Sequence, residues 1–250
     1  MTVFPEGTRV NRVLAFAAHP DDIDFGAAGT LAKWCAQGAE VSYCIMTDGG
    51  AGGFDPGDRD GVTALRSSEQ RAAADIVCAG EIHFLGEKDG FLAANHEVVG
   101  RVVELIRQVR PDVVLAMHPE RNWLRIQASH PDHLACGEIV TRAVYPAVEN
   151  PFAYPELAAR GLEAFKVPWL WFYGAPRERE NHAVDITAEL DRKLAAIRVH
   201  ASQHPDLEGM DRSVRGFLQE NAQRHSLPAG TSAEVFHVVG VNTPATIAGF

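Results

Sequence analysis

Val13-Leu14-Ala15-Phe16-Ala17-Ala18-His19-Pro20-Asp21-Asp22 is the stretch that decides the fold. The apolar run at its head is too short for a globular helix and ends at His-Pro, so it reads as a buried strand. Beyond it, Ile23 to Gln37 carries Phe25, Ala28, Leu31, Ala32 and Cys35 at the spacing of an amphipathic helix. The histidine and aspartates therefore sit at a strand-to-helix junction. Pro20 lacks only a donor that a helix start leaves unpaired anyway, and Asp21 and Asp22 suit the positive end of the helix dipole. In an open α/β sheet, this carboxyl end of a strand is where ligands bind.

Outward from this junction the pattern alternates. Strands are expected at 13–19, 40–47, 81–86 and 112–117, with helices at 24–37, 62–78, 96–109 and 131–146. Strands at Trp169–Tyr173 and Val235–Val239 follow, with a helix from Thr187 to Ala201 whose start reads as capped by Thr187. Such alternation specifies an α/β, Rossmann-like architecture, a mostly parallel sheet with helices on both faces. At 250 residues and 46% apolar, the chain can bury a full core, and residues 1–250 are expected to form one domain with insertions.

A second motif, His130-Pro131-Asp132-His133, lies after the strand at Val113–Met117 and opens another helix. Two helix entrances on one sheet edge can share a metal. His19 and Asp22 offer an imidazole and a carboxylate, and the second motif can add a third ligand, leaving a position open for water. Asp21, His130 and Asp132 are then candidates for acid/base work around that water. Either motif alone would read as a helix cap or a turn. His-Pro-Asp occurring twice at the exit of an apolar strand favours the chemical reading.

A formal charge of −10 argues against nucleic acid or an anionic membrane as partner. No signal peptide or transmembrane run is expected. Cys35, Cys44, Cys78 and Cys136 lack C-x-x-C spacing and fall in apolar segments, so they read as reduced core residues of a cytoplasmic protein.

The two motifs, with Gly26 and Gly29, Arg66-x-x-Glu69 on an Ala-rich segment ending at Gly80, and later Asp185-Ile-Thr187, Lys193 and Ser202-Gln203, resemble the PIG-L or LmbE-like family of metal-dependent de-N-acetylases. The resemblance implies that His19, Asp22 and His133 bind zinc, with iron(II) or another divalent metal as alternatives, and that Asp21 is the general base. It further implies that His130 is a cation stabilising the oxyanion, with Asp132 orienting it, and that Arg66 faces the site, held by Glu69, to bind a substrate hydroxyl or acetate. The ordinary reading of Arg66 and Glu69 is a solvated helix face.

The implied substrate is an acetylated small molecule, foremost an N-acetylglucosamine sugar or glycoconjugate. The branch acting on the mycothiol precursor has a tyrosine where this chain has Ala128, which directs the expectation to other such compounds. A non-sugar amide or ester substrate, or a silent metal-binding protein on the same fold, are the alternatives. A homo-oligomer is compatible with the family.

Two stretches break the alternation and are expected as substrate walls, a glycine-rich loop near 48–61 and residues 119–129. The first does not close a G-x-G-x-x-G spacing, since Asp55 stands at the third glycine. The second offers Trp123 and Arg125 as saccharide contacts. His118 is expected to add at most a minor polar contact, and His204-Pro205-Asp206 to end a helix.

Overall fold

In a computed structural model, which describes residues 4–5, 7–53, 59–244 and 246, the opening stretch forms strand β1 (Arg12–Ala17), buried from Val13 onward. Helix α1 (Asp22–Ala36) follows it directly. The alternation continues through β2 (Glu40–Thr47), α2 (Arg59–Val77), β3 (Ile82–Glu87), α3 (His96–Val109), β4 (Val113–Met117) and α4 (Pro131–Arg142). A short α5 (Pro155–Ala159) precedes β5 (Trp169–Tyr173), β6 (His182–Asp185), α6 (Leu190–Val199), α7 (Leu207–Arg224) and β7 (Ala233–Gly240).

The sheet order is β3-β2-β1-β4-β5-β7-β6. The first five strands in that order pair in parallel, and β7 runs antiparallel to both β5 and β6. Helices α1, α2 and α6 pack together, and α3 packs with α4. The chain order therefore reverses direction between β1 and β4. That switch point is where an open sheet parts its loops and leaves a crevice.

Close packing brings the two motifs to the crevice. A Cβ on Gly26 would lie 2.3 Å from the Tyr173 ring, so only glycine lets α1 approach β5 here. Tyr173 in turn donates its hydroxyl to the Phe16 carbonyl at 2.8 Å, tying β5 to β1. A Cβ on Gly137 would stand 2.5 Å from the Met117 carbonyl oxygen, so α4 lies directly on the exit of β4. The core around β1, β2 and β4 includes fully buried Leu14, Phe16, Ile45 and Leu115, each contributing about 1.5–3 kcal/mol by leaving water.

Several expectations are corrected. The helix expected to reach 146 leaves regular geometry after Arg142, since Tyr145 precedes Pro146 and takes extended angles. Thr187 is not the cap of α6. Asp185 accepts from both the amide and the hydroxyl of Thr187, and a 3₁₀ turn leads into the helix. His204-Pro-Asp does not end a helix: α6 has stopped at Val199, and Asp206 caps α7 by accepting from the Gly209 amide at 2.8 Å. Cys78 is exposed rather than core. No described helix is long and apolar enough to cross a membrane.

Candidate active site

His19 leaves β1 and Asp22 opens α1, and three residues apart they face each other. Asp22 Oδ2 accepts from the His19 amide at 2.7 Å and lies 3.4 Å from His19 Nδ1. Its other oxygen lies 3.2 Å from Nε2 of His133, on the first turn of α4. The switch point thus joins one imidazole, one carboxylate and a second imidazole from two strand exits.

The far nitrogen of His19 is anchored. His19 Nε2 stands 3.1 Å from Asp89 Oδ1 and 3.2 Å from Asp132 Oδ2. Two carboxylates can only accept, so Nε2 carries a proton that they hold, and Nδ1 is the nitrogen left to face Asp22 and to serve a metal once its own proton leaves. A carboxylate behind a histidine is the usual support of a metal ligand. The 3.4 Å spacing runs to Asp22 Oδ2 and the 3.2 Å spacing to Oδ1, so the two imidazoles flank opposite oxygens of one carboxylate. In donor type, one carboxylate between two imidazoles, His19, Asp22 and His133 could hold a divalent metal. Among the described residues, His19, His130 and His133 also offer nitrogens within 4.8 Å of one another, as His19, Asp89 and Asp132 offer donor atoms.

The electrostatics follow from this crowding of acids. Burial lowers His19, yet Asp132, Asp22 and Asp89 together push it up to about 12. Burial raises Asp22, but His133 and His19 hold it well below the usual carboxylate range. Asp89, raised by burial, is brought down to about 2 by His19. A field that favours positive charge this strongly suits a bound cation.

Asp21 is different. Burial and the neighbouring Asp22 carboxylate push it up to about 7, against the pull of Arg66, His200 and His19. Its backbone adopts φ 98°, a region that costs a non-glycine residue about 1–3 kcal/mol and clusters at functional sites.

The other expected site residues are placed as follows. Arg66 is 4% exposed and donates to the carbonyls of Gly49 and Pro20, both at 2.8 Å, and to Asp21 Oδ2 at 3.4 Å. It braces the Asp21 turn rather than reaching outward. Glu69 does not hold it; Glu69 accepts from the amide and hydroxyl of Ser202. The Asp132 carboxylate reaches His19 and accepts from the amides of Gly90 and Leu92, not from His130. Only the Asp132 backbone meets His130, donating to Nδ1 at 3.2 Å. That leaves the ring proton on Nε2 as a donor, while burial and His19 lower the His130 pKa.

The two expected walls differ. In the first, Asp48 accepts from the amides of Gly50 and Asp89, and Ala51 donates to Asp89, stitching residues 48–51 to the exit of β3; residues 54–58, with Asp55, lie outside the described residues. In the second, Trp123 is 80% exposed beneath the Arg121 guanidinium, and Arg125 lies over the Phe217 ring on α7. Near its end, the Ala128 carbonyl lies 3.3 Å from His133 Nδ1. His118 faces His237 at 2.9 Å instead of the metal ligands.

Asp89 is the site residue that sequence reasoning missed. Its signal was positional only, an aspartate just past a parallel strand on the edge where both motifs lie.

Residues 14–144 match the family model of PIG-L, GlcNAc-PI de-N-acetylase. A diacetylchitobiose deacetylase from Thermococcus kodakarensis is 35% identical over 199 residues, covering 79% of this chain and 72% of that protein. A 1D-myo-inositol 2-acetamido-2-deoxy-alpha-D-glucopyranoside deacetylase from Mycolicibacterium smegmatis is 30% identical, covering 77% of this chain and 80% of its own. Among solved structures, N,N'-diacetylchitobiose deacetylase from Pyrococcus horikoshii superposes with a TM-score of 0.84 at 28% identity, covering 95% of this chain and 88% of that one.

Proposed function

Because the chain belongs to the PIG-L family, we propose that it hydrolyses the N-acetyl amide of an N-acetylglucosamine-containing small molecule, releasing acetate and a free amine. The observation that carries this reading is the convergence of His19 Nδ1, Asp22 and His133 Nε2 beside Asp21. A divalent ion held by His19, Asp22 and His133, zinc foremost and iron(II) an alternative, supplies Lewis acidity toward the acetyl carbonyl and lowers the pKa of water to about 7.

Asp21 takes the proton of the attacking water and returns it to the amine nitrogen as the C–N bond breaks. A carboxyl group raised toward neutrality by burial suits both transfers. His130 donates its Nε2 proton in a hydrogen bond to the oxygen that becomes negative, an effect of about 3 kcal/mol for one well-placed donor. Asp132 and Asp89 keep Nδ1 of His19 turned to the ligand position. Arg66 holds the Asp21 turn. Trp123 and Arg125, on the loop that ends against His133, present an aromatic face and a guanidinium to the remoter part of a saccharide. The cysteines are free, which fits a cytoplasmic setting.

The test is acetate release from N,N′-diacetylchitobiose and N-acetylglucosamine by protein loaded with zinc, cobalt or iron(II), beside a panel of acetylated non-sugar amines. Asp21→Asn is expected to lose about 10²–10⁴ in turnover with its metal retained. His133→Ala is expected to lose the metal. Release of acetate from no N-acetylhexosamine under any metal sinks the proposal.

A further inference from the structure

Asp21 occupies a conformation, φ 98° and ψ −32°, from which a non-glycine residue relaxes unless both flanking peptides are pinned. Its carbonyl is pinned by the first turn of α1, accepting from the amides of Asp24 at 2.9 Å and Phe25 at 3.1 Å. Its amide points into the protein. There the side-chain oxygen of Gln70, on α2, accepts it at 2.9 Å.

Gln70 could present either end of its amide group to Asp21, and only the oxygen can accept. Asp24 settles the choice. Gln70 Nε2 donates to Asp24 Oδ2 at 2.8 Å, and a carboxylate offers no proton in return, so Gln70 Oε1 must face Asp21. His200, just past the end of α6, donates from Nε2 to the same Asp24 oxygen at 2.9 Å. Lys193 on α6 donates to the Asp24 carbonyl at 2.8 Å. Gln70, Asp24 and His200 are all fully buried.

Filling the space between α1, α2 and α6 requires none of this polarity. Apolar side chains of similar volume would do so without the desolvation cost of three polar groups. What the polar chain supplies is direction, a fixed acceptor aimed at one strained amide. We infer that Gln70, oriented by Asp24 and His200, is a positioning residue that holds Asp21 in its left-handed conformation with its carboxylate at the reaction site. It donates to and accepts from Asp24 and Asp21, not the three proposed metal ligands. The inference rests on the assignment of Asp21 as the base.

Three variants test it: Gln70→Met, which keeps the volume and removes the acceptor; Gln70→Glu, which sets two carboxylates face to face; and Gln70→Glu with Asp24→Asn. In the double variant the polarity is reversed, with the introduced asparagine amide donating to the introduced glutamate. His200 Nδ1 has no partner among the described residues, so its ring can carry the proton there and accept from the same asparagine at Nε2.

The first readout is amide hydrogen exchange in the metal-free protein. Gln70→Met should speed exchange of the Asp21 amide at least about tenfold while β1 amides keep their protection. The second is steady-state hydrolysis of N,N′-diacetylchitobiose by zinc-loaded protein. Here kcat should fall about 10- to 100-fold, with KM and zinc affinity nearly unchanged. Gln70→Glu keeps an acceptor for the Asp21 amide but repels Asp24, so it should show the same changes as Gln70→Met to a smaller degree. The double variant, which restores the contact with residue 24, should recover both readouts.

Wild-type exchange and kcat in Gln70→Met overturn the inference, as does loss of zinc in parallel with kcat. So does a double variant no better than Gln70→Glu, a comparison that stands even where Gln70→Met does not fold. Should wild-type protein release no acetate, the proposed function fails, while the exchange rates of the Asp21 amide still decide the positioning role.

Discussion

At the scale of single residues, the arrangement of His19 explains why one ring can serve as a ligand in a pocket of acids. Asp132 and Asp89 share its Nε2 proton, and Nδ1 is left to face Asp22. This placement is testable against the one the sequence suggested, in which Asp132 serves His130. Asp132→Asn should weaken zinc binding about 10- to 100-fold, measured by competition with a chromogenic chelator. Unchanged affinity with a lowered kcat would return Asp132 to His130. The two His-Pro-Asp motifs were legible because chemistry-bearing residues stand at fixed offsets from a strand exit. Asp89 was not, because a lone aspartate after a strand looks like any turn residue until β3 is paired to β2. Arg66 and Glu69 share a helix three apart, a spacing that cannot tell a buried guanidinium bracing a turn from a solvated charge.

At the scale of elements, the exits of β4 and β5 meet β7 through paired histidines. His118, buried beside His237, is lowered to about 4 by burial and by that neighbour. An unfolded histidine titrates near 6.5, so the unfolded chain binds a proton that the folded one refuses. The neutral pair thus contributes stability in full above about pH 6.5, and that contribution is lost as pH falls toward 4, by an amount on the order of 2 kcal/mol. His118→Asn keeps an acceptor for the Glu120 amide and removes the titration. Urea unfolding of this variant should show a shallower fall in stability between pH 7 and pH 4.5 than the wild type; parallel curves would remove the pair from the account. The elements readable from sequence were those with a broad apolar stripe or a buried run. Helix α7 escaped because its buried positions, Asp211, Leu218, Asn221 and Ala222, form a narrow and half-polar seam. The four residues of β6 were too short to show alternation.

At the scale of the whole molecule, the site exists only because distant segments meet. His19 and Asp22 come from the exit of β1, Asp89 from beyond β3, and Asp132 and His133 from the helix after β4. The crossover from β3 to β4 carries the chain past β2 and β1, and it opens the crevice that these residues line. Alternation in the sequence was enough to expect a parallel sheet, but the strand order, and so the meeting of the two motifs, depended on which strands pair. An unfolded chain holds these ligands far apart, so an ion that binds the folded site stabilises the fold by mass action. Zinc at about a thousandfold excess over its Kd should add about 4 kcal/mol, a rise in Tm of roughly 8–16 °C for a chain of this size. Asp21→Asn, with all three ligands intact, should keep the rise, and His133→Ala should lose most of it. Calorimetry of chelator-treated and zinc-loaded samples reads both. A wild-type Tm indifferent to zinc, or a full rise in His133→Ala, would mean that the ion is held elsewhere than between β1 and β4.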